Sequence, residues 1–186
     1  MTHIPEEYNG APDPSDPNSA YGEGKRAAEM LCAIYAKMYG IETKIARCFA
    51  FVGPYLPLDI HYAIGNFIRD ALKGGPIQIK GDGTPYRSYL YAADLTVWLW
   101  TILIKGKSCR PYNVGSDKAI SIAELADSVS KSFNPPAGIF IARKPIDGSA
   151  HEKYIPNIDR VKKEMNLYQH IELREALDKT IKWNRK

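Results

Sequence analysis

The stretch Ser19-Ala20-Tyr21-Gly22-Glu23-Gly24-Lys25-Arg26-Ala27-Ala28-Glu29-Met30-Leu31-Cys32-Ala33-Ile34-Tyr35-Ala36-Lys37-Met38-Tyr39-Gly40 decides the fold. It holds no proline, offers Ser19 as an N-cap, and closes on a glycine, the residue that most readily takes the left-handed conformation at a helix end. Residues 19–39 are therefore expected to be helical. Ala28, Met30, Leu31, Ala33, Ile34, Tyr35, Ala36 and Met38 spread apolar surface over nearly every side, and such a helix seeks burial on more than one face. One face can pack on a sheet; the other suits a partner subunit. Residues 43–52, rich in Ile, Ala, Phe and Val, read as a buried strand that Gly53-Pro54 ends.

Upstream, Pro5, Pro12, Pro14 and Pro17 keep residues 1–18 in a loop. Downstream, Ile64, Phe67, Ile68, Ala71 and Leu72 recur at helical spacing, so 61–72 is expected to be a helix stopped by Gly74-Gly75. Short strands are expected at 77–79, 88–91, 112–114 and 139–142. Asp94 is the expected cap of a helix that presents Leu95, Trp98, Leu99 and Ile102 on one face. Ser121 and Glu124 form a capping box for the next helix, and a last one is expected at 172–183. Short strands interleaved with capped helices describe an α/β chain.

Composition narrows the function. The 186 residues carry a net charge of +4 with the charges scattered, which suits a small anionic ligand better than a nucleic-acid surface. A hydrophobic content of 45% is enough for a packed core. Cys32, Cys48 and Cys109 are odd in number and include no C-x-x-C, which disfavours a disulfide framework or a zinc site and points to a reducing cytoplasm. His61 and His151 read as ordinary surface or loop residues rather than metal ligands. No segment approaches the apolar run of about 20 residues that a membrane span needs, and residues 1–18 are too polar and proline-rich for a signal peptide.

Tyr21 and Lys25 stand one turn apart on the same helix face. An ammonium there favours the phenolate, so the tyrosine could take or give a hydroxyl proton while hydride leaves the same carbon. With 12 tyrosines and 16 lysines, about one such spacing arises by chance, so the pair gains meaning only from its neighbours.

Those neighbours are Pro17-Asn18-Ser19 before the pair, Arg47-Cys48-Phe49-Ala50-Phe51-Val52-Gly53-Pro54, then Gly81-Asp82-Gly83-Thr84-Pro85-Tyr86-Arg87-Ser88-Tyr89 with Tyr91 and Asp94, and finally Tyr112-Asn113-Val114-Gly115. In that order they resemble the extended short-chain dehydrogenase/reductase family, its nucleotide-sugar epimerases and dehydratases in particular (dTDP-glucose 4,6-dehydratase-like). The resemblance implies an α/β fold: the C-terminal part of a Rossmann-type fold, with an incomplete parallel sheet, plus a small α/β substrate-binding lobe. Residues 1–18 would be a loop, 19–54 a remnant of the NAD(P)-binding domain, and 55–186 the nucleotide-sugar-binding lobe. Tyr21 and Lys25 would be catalytic. Both, with Phe49, would touch the cofactor, NAD or NADP. Arg87 would contact the diphosphate of a nucleotide sugar and Asn113 would lie near the nucleotide. Arg143 offers either a second phosphate contact or a surface arginine. A homodimer through the 19–39 helix is implied as well.

Two departures matter. The family's asparagine three residues after the arginine of the Arg47 segment is Ala50 here. No G-x-G-x-x-G or G-x-x-G-x-x-G occurs, although a dinucleotide pyrophosphate needs such bare backbone at a helix N-terminus. The expectation is a C-terminal part cut upstream of the tyrosine motif. It is either a fragment of an NAD(P)-dependent epimerase or 4,6-dehydratase that binds no cofactor alone, or a non-catalytic remnant that binds nucleotide sugars or oligomerises.

Overall fold

The computed structural model describes residues 2–10, 12–60, 62–146 and 151–185, so His61 and the start of its expected helix lie outside the described residues. In chain order the elements are α1 (Ala20–Tyr39), β1 (Ile45–Cys48), β2 (Phe51–Val52), α2 (Ala63–Leu72), β3 (Ile77–Ile79), β4 (Tyr86–Arg87), β5 (Leu90–Tyr91) and α3 (Ala92–Lys105). Then follow β6 (Pro111–Val114), β7 (Ile120–Ser121), α4 (Ile122–Ser130), β8 (Ile139–Ile141), α5 (Asp159–Met165) and α6 (Leu173–Asn184).

Gly40 closes α1 as expected, with φ 65° and its N–H on the Ala36 carbonyl at 3.0 Å. The start differs. A 3₁₀ turn over Pro17–Ser19 precedes α1, and the Asp16 carboxylate caps it by accepting from the Asn18 N–H at 2.9 Å. Ser19 is already helical and makes no side-chain cap bond.

The expected strand at 43–52 is two strands with different partners. β1 runs parallel to β6, and β2 runs parallel to β5. The switch falls at Phe49-Ala50: the Phe49 N–H reaches Val114 O and the Leu90 N–H reaches Ala50 O, each at 3.0 Å. Of the expected strand at 88–91 only β5, Leu90–Tyr91, is found, and β4 lies just before that segment. β4 pairs antiparallel with β7, β5 belongs to β2, and buried Ser88 and Tyr89 lie between. β3 runs parallel to β8. Three of the four two-stranded ladders are thus parallel, the incomplete parallel sheet the sequence implied.

Two apolar clusters hold these pieces together. In one, α2, α4 and α6 enclose Ile77 and Ile79 of β3 with Phe67, Ile68, Leu125, Val129 and Leu177. In the other, Trp98 and Ile102 of α3 meet Tyr112 and Val114 of β6 and Val161 and Met165 of α5. The expected capping box is present: Ser121 Oγ accepts from the Glu124 N–H at 3.2 Å, and the Glu124 carboxylate accepts from the Ser121 N–H at 2.8 Å. Replacing Ser121 with alanine is expected to cost about 1 kcal/mol in urea denaturation, the usual worth of such a cap. Asp94 does not cap α3, which begins at Ala92. Its buried carboxylate instead accepts from the His170 and Ile171 N–H groups at 3.1 and 3.0 Å, tying α3 to the loop before α6.

The expected burial of α1 is not found: none of its residues is buried. Met30, Leu31, Ile34, Tyr35 and Met38 are 39–65% exposed. Its apolar stripe is left facing solvent within this chain. What anchors it is polar. Arg47 of β1 donates from Nε and Nη2 to the two Glu29 oxygens, both at 2.7 Å, and from Nη1 to Glu6 O at 2.8 Å.

Candidate functional site

The cleft is built where β1 ends. Cys48 and Phe49 follow from Arg47, and Gly115 follows β6 alongside. A Cβ on Gly115 would stand 2.9 Å from Pro156 Cγ and 3.1 Å from Phe49 Cβ, so the close approach of these three segments requires glycine there. Phe49 is half-buried, and its ring stacks on Tyr154 with centroids 4.7 Å apart and planes 30° from parallel.

Tyr154 joins the rest electrostatically. Burial pushes its phenol up, the nearby Tyr21 and Cys48 push it further, and the Arg87 guanidinium opposes them. Partial burial likewise raises the Cys48 thiol, with the Lys25 ammonium opposing. Tyr154 thus lies within electrostatic reach of Tyr21, Cys48 and Arg87, and Cys48 within reach of Lys25. The Lys25 ammonium sits over the Tyr21 ring at 5.3 Å from its centroid, and Tyr21 is 77% exposed.

Arg87 continues the wall. Nη1 donates to Tyr86 O and Nη2 to a Glu152 oxygen, each at 2.9 Å. Next to it, burial pushes the Tyr89 hydroxyl up to about 12, with Arg87 again opposing. Beyond Tyr86 opens a cavity of about 480 Å³ lined by Asp82, Thr84, Arg143, Lys144 and His151 among others. The Gly83 turn at its rim has φ 80°, the left-handed conformation, and packs against Ala123. Arg143, which the sequence left between a phosphate contact and a surface residue, faces this cavity.

Asn113 lies elsewhere. It is 1% exposed, and its amide nitrogen donates to Ile4 O at 2.8 Å and to Asn157 O at 2.9 Å, while its backbone N–H reaches the buried Glu6 carboxylate at 3.1 Å. These bonds commit its donors to the N-terminal strap and the loop before α5, not to the cleft. Tyr154 and Glu152 were missed in the sequence because they sit in an irregular segment with no periodic pattern. Their only signal is an acid and an aromatic downstream of Arg143. Among the described residues no group of three or more His, Cys, Asp and Glu could hold a metal, and no helix is long and apolar enough to cross a membrane.

Parallel ladders flanked by helices, with a Tyr–Lys pair at one edge and a cavity lined by Arg143 and Lys144 beyond, define an α/β protein of the Rossmann type. The comparisons give the family: residues 1–115 match the model of the NAD-dependent epimerase/dehydratase family, and the chain belongs to it. It is 34% identical over 173 residues to UDP-glucuronic acid decarboxylase 5 of Arabidopsis thaliana, a match that covers 93% of this chain and 50% of that protein. Among solved structures, UDP-glucose 4-epimerase of Thermotoga maritima, determined with UDP-glucose, aligns over all of this chain and 58% of its own, with a TM-score of 0.82 at 22% identity. dTDP-glucose 4,6-dehydratase of Bacillus anthracis, determined with NAD, covers 98% and 56%, with a TM-score of 0.79 at 22% identity. These structures share the fold. The chain spans about half the length of the curated relatives it matches.

Proposed function

We propose that the chain carries the acid–base and substrate-binding part of an NAD(P)-dependent nucleotide-sugar epimerase or dehydratase, with Tyr21 and Lys25 catalytic. The observation that carries this reading is the Lys25 ammonium over the Tyr21 ring at 5.3 Å, with Tyr154 in electrostatic reach of both Tyr21 and Arg87. In it, Tyr21 holds the proton exchanged with a sugar hydroxyl, and Lys25 favours the phenolate form and orients it. Arg87, with Arg143 and Lys144 across the cavity, binds the diphosphate, because a guanidinium fork matches two phosphate oxygens. Phe49 and Tyr154 form an aromatic wall between the two regions.

The family's dinucleotide fits these residues in part. Tyr21 and Lys25 suit its ribose end and Phe49 lies close by, whereas no described helix begins on a glycine-rich loop that would cradle its pyrophosphate. When bound, it supplies the hydride acceptor; Tyr21 and Lys25 supply the proton and its orientation. The proposal is that the 186 residues alone bind UDP- or dTDP-sugars weakly through Arg87 and do not hold NAD(P). Titration calorimetry with NAD⁺, then with UDP-glucuronic acid, tests it. Arg87→Ala is expected to weaken sugar-nucleotide binding about tenfold, the worth of one charge-assisted contact, with unchanged folding. Micromolar NAD⁺ binding by the chain alone would overturn the division of labour.

The alternative is a non-catalytic nucleotide-sugar-binding or oligomerising remnant, and the 77% exposure of Tyr21 favours it over a working site. The exposed apolar side of α1 supports pairing with a second copy, as contiguous apolar surface on a soluble protein marks an interface. Light scattering that returns a strict monomer at high concentration would count against that pairing. Three free cysteines, two of them exposed, support a reducing compartment such as the cytoplasm.

A further inference from the structure

Glu152 places one carboxylate oxygen 2.9 Å from Arg87 Nη2, on the fork to which the diphosphate is assigned. Its backbone is fixed there: the Tyr86 N–H donates to Glu152 O at 2.7 Å and the Tyr154 N–H donates to Tyr86 O at 3.1 Å. Ile155, the next residue along, is 1% exposed and anchors the segment from below. The carboxylate itself is different. The Glu152 side chain is 67% exposed while that of Arg87 is 26% exposed, so the acid lies on the solvent side and can swing away without disturbing the core. The neighbouring cation, Lys153, is turned over the Tyr86 ring at 5.6 Å from its centroid.

We propose that Glu152 is a specificity-determining residue that stands in for phosphate on Arg87, so that only an anion able to displace it gains the site. The inference rests on the reading of Arg87 as the diphosphate contact. A carboxylate and a phosphate present the same pair of oxygens to a guanidinium, and the two compete for one edge of it. An exposed ion pair is weak, so a doubly charged diphosphate displaces it at modest cost, aided by Arg143 and Lys144 in the adjacent cavity. A singly charged anion gains less from the same exchange. Glu152 thus sets a threshold of charge that a ligand must exceed.

The test is a double-mutant cycle read by calorimetry with UDP as the probe, on the full chain, with folding checked by circular dichroism. Glu152→Gln keeps the shape and removes the competing charge. It is expected to tighten UDP binding about two- to fivefold, the range of an exposed ion pair. That gain should vanish when Arg87→Ala is also present, because the two residues act through one contact. Three results overturn the proposal: unchanged or weaker UDP binding in Glu152→Gln, a gain that persists in the Arg87→Ala background, or no detectable UDP binding by either wild type or Glu152→Gln at millimolar concentration. The first of these, with Arg87→Ala still losing affinity, removes only the role of Glu152. Unchanged affinity in Arg87→Ala alone removes the diphosphate reading beneath it.

Discussion

Replacing Trp98 with alanine is expected to lower stability by about 3–5 kcal/mol, a large part of what a domain of this size possesses. Trp98 is 1% exposed at the centre of the cluster that joins α3, β6 and α5. Its removal opens a cavity too well braced to collapse, because Tyr112 and Val161, at 0% exposure, are already packed around it. The indole N–H also donates to Tyr168 O at 3.3 Å, so the carbonyl loses a partner. Trp98→Phe refills much of the volume and should recover more than half of the loss. Urea denaturation followed by far-ultraviolet circular dichroism reads both, and a cost near 1 kcal/mol for the alanine variant would show the site to be far more yielding than its packing implies.

The second large effect concerns the N-terminal strap. Glu6 is 5% exposed, and its carboxylate accepts from the Asn113 N–H at 3.1 Å and lies 3.9 Å from Arg160 Nε. Arg160 also pairs with Glu7 and donates to Pro111 O at 2.6 Å. Glu6→Ala leaves a buried N–H without an acceptor and a half-buried guanidinium without part of its compensation. The expected loss is about 2–3 kcal/mol, the cost of an orphaned charge-assisted bond. Because the strap is also held by the Ile4 N–H on Ile155 O at 2.8 Å, its release should spread into the segment that carries Tyr154. Limited proteolysis within residues 2–10, together with the urea midpoint, checks this. Cleavage unchanged from wild type would show that the strap is held by its backbone alone.

What the sequence disclosed was what depends on near neighbours. Gly40 as a helix stop, the Ser121 and Glu124 box, and the spacing of Tyr21 and Lys25 are fixed within four residues, so they were legible. The division of 43–52 into two strands was not. Nothing local in Phe49-Ala50 reveals that β1 will pair with β6 and β2 with β5, because partner choice is settled by contacts 66 and 39 residues away. Short α5 escaped because its seven residues carry too few turns for periodicity, though Asn166 at φ 56° marks its end. At the site, Arg87 was legible from its motif, while Glu152 and Tyr154 reach it from a loop. Asn113 shows the converse: the residue was singled out, yet its hydrogen-bond donors serve the strap, a use that only the folded chain reveals.

The exposure of α1 has a consequence for when the chemistry is available. A 20-residue helix with no buried side chain gains little from tertiary packing, the main source of helix stability in proteins. Gly22 and Gly24 weaken its first turns by up to about 1 kcal/mol each, and those turns carry Tyr21 and Lys25. The Arg47 bridge to Glu29 steadies the helix only from one turn further on. The turn that carries the pair is held instead by polar contacts, Arg26 donating to Asn9 O. Covering the apolar flank would order it, so proton-transfer competence should rise cooperatively with concentration or with whatever partner does the covering. If α1 pairs as proposed, the Tyr–Lys pair becomes a conditional device, steadied by association.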